Sequence, residues 1–384
     1  MSSALSRREM LHGLLATGVV MGAGWPLPAL AQGEEVVPFL DFPEDFNPSP
    51  QPGVRFFDTR TLQSFLTPND QFFTIQHYNV PEIDPASYRL RLTGLVNRPL
   101  ELSLADLRGR PRIEHVVGFE CSGNSGARGN PLVGNAQWAG TSLAAVLADA
   151  GVRDEAREVV FWGADKGTEE VAHGGAPTEV EQHFGRSLSI LDARNDDILL
   201  AYEMNGVPLP QAQGAPLRLV VPGWYGVAQV KWLDHIHLQD ARFMGRYMAR
   251  DYVTLRPDQV GGETVWNETS VSRIRLKSAI ARVTRTGGRL KALGFALTDG
   301  TALRTIEVSV DDGPWRAATL DPSNTRYSWK LFTYEWDGAR PGEHTIVSRA
   351  TDERGAVQPA GADVDTKKTR WENNGLNVRR IMVS

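Results

Sequence analysis

The stretch LLAYEMNGVPLPQAQGAPLRLVVPGWYGVAQVKWL runs from Leu199 to Leu233. Its central part, LRLVVPGWYG, is rich in β-formers until Pro222-Gly223 interrupts it, the pattern of a strand feeding a loop. The same texture extends upstream. YRLRLTGLV (Tyr88 to Val96) alternates polar and apolar residues, as a half-buried strand does. TSLAAVLADAGV (Thr141 to Val152) opens on a cap residue, has helical spacing and stops at Gly151. Residues 71–273 therefore read as one mixed domain. It lacks the regular βαβ alternation of a doubly wound sheet, so the fold class is α+β.

From about Ser278 the pattern changes to short strands joined by turns at Thr286-Gly287-Gly288, Asp312-Gly313-Pro314 and Pro341-Gly342. Residues 274–384 are expected to form an all-β, immunoglobulin-like sandwich without its disulfide. Residues 32–70, rich in Pro, Asp and Asn and without a period, read as an extended N-terminal arm over the surface. Residues 1–31 hold Arg7-Arg8, an apolar run and the small-residue signal Ala29-Leu30-Ala31, so they read as an export leader. The apolar run is roughly half a bilayer span. The paired arginines in SRREML point to the twin-arginine route, a periplasmic location and no membrane anchor after processing.

The 384 residues carry a net charge of −5, which gives no basic field for nucleic acid. With a single cysteine, Cys121, there is no intramolecular disulfide, no Cys-rich zinc site and no Cys-x-x-Cys-His haem attachment. Cys121 lies in FECSGNSG (Phe119 to Gly126), among small residues that form no apolar wall. It could be a plain core cysteine, a nucleophile or a metal ligand. A serine nucleophile would want G-x-S-x-G, and Ala127 breaks that pattern in CSGNSGARG. His115, six residues before Cys121, is expected to point away from it. His235 and His237 share one face of a strand, but without a nearby third ligand they read as solvated strand residues rather than a metal pair. No G-x-G-x-x-G follows a strand.

The residue order from Leu199 to Leu233 closely resembles the molybdenum domain of the sulfite oxidase family, and the likeness extends over roughly residues 70 to 384. FFTIQHYNVP (Phe72 to Pro81) looks like the first strand of that domain, ECSGNSG stands at its metal-binding cysteine, and the last third looks like its immunoglobulin-like dimerisation domain. The resemblance implies one molybdenum-molybdopterin per chain, with Cys121 as metal ligand beside two dithiolene sulfurs. It places Phe73, Thr74, His77, Asp165, Gln213, Arg218, Gln229, Val230 and Lys231 at pterin or phosphate contacts, with Arg186 and Ser187 as further candidates. Tyr252 stands where the family keeps a tyrosine beside the metal's exchangeable oxygen, and is expected to hydrogen-bond there and assist proton transfer.

The pattern departs from animal and plant sulfite oxidases where those carry anion-binding arginines. The corresponding positions here hold Ile75, Gly126 and Asn374, and Arg128 is offset by two from the second. A dianion without cationic donors is poorly held, because its hydration shell must be replaced by paired charge. ECSGNSG is itself closer to the catalytic subunit of sulfane dehydrogenases. The expected activity is oxygen-atom transfer to sulfite or a related sulfur compound. Electrons would then pass to a separate c-type cytochrome, since no haem or flavin motif is present, and the chain would be a homodimer. The alternatives are a reductase of sulfoxide-type substrates and a cofactor-free binding protein with a degenerate site.

Overall fold

The computed structural model describes residues 33–43, 45–172, 174–361 and 367–384, so the proposed leader lies outside the described residues. The protein is mostly β. The α-helical segments Leu104–Arg108, Leu143–Ala150, Ile190–Ala193 and Arg246–Ala249 are at most eight residues long. The α+β expectation is corrected to that extent, because alternating and continuous apolar runs outnumber helical spacing along the chain. The one helix expected in detail forms as read: the Ser142 hydroxyl accepts from the Ala145 amide, and Gly151 closes the helix in the left-handed region at φ 69. No helix among the described residues is long and apolar enough to cross a membrane.

Two five-stranded sheets build the first part. In one, Arg218–Val220 pairs with Leu199–Met204, which pairs with Val133–Ser142 and then Ile113–Glu120, all antiparallel. In the other, Leu233–Gln239 lies between Arg89–Gly94, to which it is parallel, and Glu158–Val171. One large apolar core joins them, from Leu90 and Leu92 through Val159 and Phe161 to Leu200, Leu219 and Ile236.

The last third forms two further sheets, of five and four strands. Ile280, Val283, Leu290 and Ala292 from one share a core with Ile306, Val308, Ile346 and Ile381 from the other, which makes a two-layer sandwich. The turns read at Thr286-Gly287-Gly288 and Asp312-Gly313-Pro314 close hairpins, whereas Pro341-Gly342 leads from a strand of one sheet into a strand of the other. The sandwich is not free of the first part. Trp329 and Leu331 belong to the large core, and the Asn135 side chain accepts from the Trp329 amide. Beneath Cys121, Lys277 Nζ lies 2.7 Å from Glu120 Oε1, both side chains almost fully buried.

The arm from residue 33 does more than lie on the surface. Glu35–Val37 adds an antiparallel strand to Lys277–Thr286, and Phe57, Leu62 and Phe65 then plug the large core. Phe72–Pro81 is also not a regular strand. Only Thr74 forms a β-bridge there, to Arg55, while the Phe72 amide donates to Pro68 O at 2.8 Å and Phe73 O accepts from the Gln213 side chain.

Candidate active site

A cavity of about 630 Å³ opens where the irregular 72–77 segment meets the ends of both sheets and the loop after Arg218–Val220. Cys121, Tyr252, Phe73, Thr74, His77, Asp165, Gln213, Arg218, Gln229 and Lys231 all line it. Residues up to 179 positions apart in the chain therefore converge on one space.

Each polar side chain is delivered by a local irregularity. The register of Glu158–Val171 against Thr178–Ser189 shifts between Trp162 and Lys166, and this bulge turns Asp165 inward. Gly214, at φ +100, sits so close to Lys231 that a Cβ would lie 3.0 Å from its Cα. That approach needs glycine. Trp232 and Tyr252 line the cavity with positive φ, 49 and 57, conformations that larger residues seldom adopt and that cluster at functional sites.

The two cations share one nearby carboxylate, Asp165. Arg218 is buried and donates to Gln213 O, Gln213 Oε1 and Gln229 O at 2.9, 3.1 and 3.1 Å, while its guanidinium lies 4.6 Å from the Trp138 ring. Burial lowers its pKa to about 9. Lys231 donates to Ala212 O at 3.2 Å, and burial first, then repulsion from Arg218, lowers its pKa to about 7 against the pull of Asp165. Asp165 is raised to about 7, again by burial first, and its Oδ1 is buried without a partner, as is Arg218 Nε. Two buried cations and orphaned polar atoms around one space are what an anionic ligand with further hydrogen-bonding groups would satisfy.

These values give a pH signature for protein without a ligand. Lys231 is ammonium above pH 7 in the unfolded chain but not in the folded one, so the unfolded state binds the extra proton and stability rises with pH. Below that, Asp165 loses stability as pH rises from about 4 to 7, while His77, lowered to about 4, gains it up to its ordinary value. Those two oppose each other. Between pH 7 and 8 the cofactor-free protein should therefore gain about 1 kcal/mol, read by thermal or denaturant unfolding. Lys231→Met should remove that slope; an identical slope in the variant would refute the assignment.

Cys121 ends the strand Ile113–Glu120 at one wall of the cavity. Burial pushes its thiol up to about 11, against the opposing pull of the Gly123 amide. A metal must therefore displace the proton to make the thiolate. Small neighbours do make room, but partly for other side chains: a Cβ on Gly123 would approach the Trp371 ring to 3.2 Å, and one on Gly126 would clash with Asn377 Nδ2. Tyr252 stacks on Trp371, with centroids 4.3 Å apart, and its hydroxyl lies 2.8 Å from His77 Nε2. His77 is caged by Phe184 and Tyr247, and burial first, then Lys231, keeps its imidazole neutral. Burial and the neighbouring Cys121 keep the phenol protonated.

Gln213 and Gln229 are frame as much as wall. Gln213 Nε2 donates to Phe73 O at 3.1 Å, and Gln229 ties Val221 and Trp224 into the loop that follows the strand. Three candidates do not line the cavity. Arg186 is buried behind it and donates to Tyr247 O and to Val271 O at 2.6 Å; Ser187 donates to Glu158 at 2.9 Å; and Val230 is a core residue. Arg128 is exposed and outside the lining. Ile75 lines the cavity, Asn377 fills the space beside Gly126, and Asn374 donates to Leu276 O. His115 faces Asp197 at 3.5 Å, and Thr93 Oγ1 contacts both His235 and His237; no group of three or more metal-binding side chains occurs among the described residues. Trp371 and the Glu120–Lys277 pair, both next to Cys121 in space, were not among the sequence candidates. The only trace they leave there is the Trp in WENNG and a lone Lys in a β run.

The model for the oxidoreductase molybdopterin binding domain matches residues 77–247. Sulfite oxidase of Gallus gallus is 35% identical over 343 residues, covering 82% of this chain and 71% of that protein. The mitochondrial sulfite oxidase of Homo sapiens is 32% identical over 361 residues, covering 86% of this chain and 62% of the human one. Among solved structures, the sulfane dehydrogenase SoxCD of Paracoccus pantotrophus superposes with a TM-score of 0.73 at 26% identity, over 89% of this chain and 90% of that one.

Proposed function

The chain belongs to the sulfite oxidase family of molybdenum-molybdopterin oxidoreductases, and from that premise we propose that it oxidises sulfite or a related small sulfur compound. The observation that carries this is the pairing, in one cavity, of a lone buried thiol with two buried cations that face a single carboxylate, Asp165, without a salt bridge to it. The residues fit the cofactor. Cys121 offers a soft sulfur ligand. Arg218 and Lys231 would hold its phosphate. Asp165, Gln213, Gln229, His77, Phe73 and Thr74 would border the pterin. When bound, the cofactor supplies a two-electron metal centre able to transfer an oxygen atom between water and substrate.

The chain's own part is binding and proton handling. Tyr252, protonated and anchored to neutral His77, forms a two-member relay whose direction follows the imidazole tautomer. With the proton on Nε2, the histidine donates to the phenol oxygen, and the phenol O–H is free to point into the cavity. Tyr252→Phe should lower kcat by about a hundredfold while leaving molybdenum content unchanged. An unaltered kcat would remove the tyrosine from proton transfer.

Ile75, Gly126 and Asn374 at the positions of the family's arginines, with Asn377 filling the space beside Gly126, favour a substrate less charged than free sulfite, or one held from elsewhere. Under the same reading the protein is exported to the periplasm by the twin-arginine route and passes electrons to a c-type cytochrome. The immunoglobulin-like C-terminal sandwich would join two chains as a homodimer.

Metal and pterin analysis of exported protein, followed by substrate-dependent cytochrome c reduction, tests the proposal. One molybdenum and one pterin per chain, with turnover of sulfite or another reduced sulfur compound, is the expected result. Cofactor without such turnover would favour the sulfoxide-type reductase, and absence of cofactor would leave the binding protein.

A further inference from the structure

A second cavity, of about 810 Å³, shares no lining residue with the first. Tyr252, in the first cavity, stacks on Trp371, and Glu372, which lines the second, donates its amide to Ser122 O at 2.8 Å, next to Cys121, so the two cavities border one segment. Three cations line the second cavity: Arg256, Arg275 and Lys367. Glu372 is its one carboxylate, almost fully buried and held by Arg256 Nη2 at 3.2 and 3.3 Å.

That single acid does not balance the set. The Arg275 guanidinium comes no closer than 3.9 Å to Glu372, and Lys367 Nζ uses two of its three donors on neutral oxygens, Glu372 O at 2.9 Å and Asn374 Oδ1 at 3.3 Å. Burial first, and then Arg275 and Lys277 against the pull of Glu372, disfavours the Lys367 charge. Crowded, half-buried cations with spare donors are stabilised by an oxyanion that accepts from both.

We propose that this second cavity is an oxyanion site, in which Arg275 and Lys367, backed by Arg256, hold a sulfur or phosphorus oxyanion beside the segment that carries Cys121. Its role, collecting a sulfur oxyanion beside a reaction cavity that carries Ile75 where a cationic donor is expected, rests on the function proposed above; the binding itself does not. Arg256 then serves the buried carboxylate, and Trp266 closes the apolar side.

The test is calorimetric titration of cofactor-loaded protein with sulfate, and separately with phosphate, at constant ionic strength set by chloride. Sulfate is expected to bind, and the double variant Arg275→Gln/Lys367→Gln to bind it about tenfold more weakly or less. Arg275→Lys, which keeps the charge but loses the planar fork, should retain part of the affinity, and a matching thermal unfolding curve shows that the double variant folds. With a turned-over sulfur oxyanion, the double variant should raise KM with kcat unchanged. Binding of sulfate alone ties the site to the reaction, and equal binding of phosphate assigns it to tetrahedral oxyanions at large. Sulfate affinity unchanged in the double variant, or no sulfate binding above the chloride background, would overturn the proposal. Loss of sulfate binding in a protein that oxidises no sulfur compound would sustain the site and reject the function.

Discussion

Purified Cys121→Ser protein is expected to turn over substrate about 10³-fold more slowly than wild type, or less, the scale of losing a group at the reacting centre. Serine is nearly the same size, and the backbone around Cys121 is held independently of its side chain. Its amide donates to Leu132 O at 3.0 Å, and its carbonyl accepts from the Asn124 amide at 2.9 Å. The fold should therefore survive, with thermal unfolding close to wild type. What changes is the donor atom: a hydroxyl is far harder to deprotonate than a thiol and is a poor match for a metal that prefers soft sulfur. Activity retained in this variant would mean that the thiol is only a core residue.

The second large effect is on stability. Lys277→Met should lower stability by about 3–5 kcal/mol, because it leaves the Glu120 carboxylate buried without its partner. Asn124 Nδ2 still donates to Glu120 Oε1 at 3.0 Å, but Oε2 already has no partner, so the remaining network cannot take up the charge. For a chain of this length the melting temperature should fall by roughly 5 °C. The double variant Lys277→Met/Glu120→Gln should recover most of that loss, since a neutral pair of similar volume has no charge to desolvate. If the single and double variants melt together, the two side chains are not coupled as drawn. The pair also gives the sandwich a role beyond its own core: it clamps the residue that precedes Cys121 from the other side of the molecule.

The parts of this arrangement that were legible in the sequence are those written in consecutive residues. The strand and loop around Pro222-Gly223, the alternating Tyr88–Val96 run and the helix closed by Gly151 follow from local pattern. Arg218, Lys231 and Cys121 stood out because the order of residues around them resembled one family. Phe72–Pro81 forms no regular strand for a physical reason: Phe72 is packed on Phe119 and Trp138 and Phe73 O is taken by Gln213, so a bridge at Thr74 alone ties it to another strand segment. Arg186 and Ser187 are consecutive on the strand Thr178–Ser189 and so point to opposite faces, where Tyr247 and Val271 satisfy the first and Glu158 the second. Trp371, Lys277 and the cage around His77 come from positions more than a hundred residues distant from their partners, and no local period marks such a contact.

X-ray absorption at the molybdenum edge of loaded protein, compared between wild type and Cys121→Ser, is the most direct measurement of the bond on which the site depends. Wild type should show three sulfur neighbours, one from Cys121 and two from the dithiolene, and the variant two. Equal sulfur counts in the two proteins, or a wild type that holds no molybdenum, would contradict the placement of Cys121 on the metal.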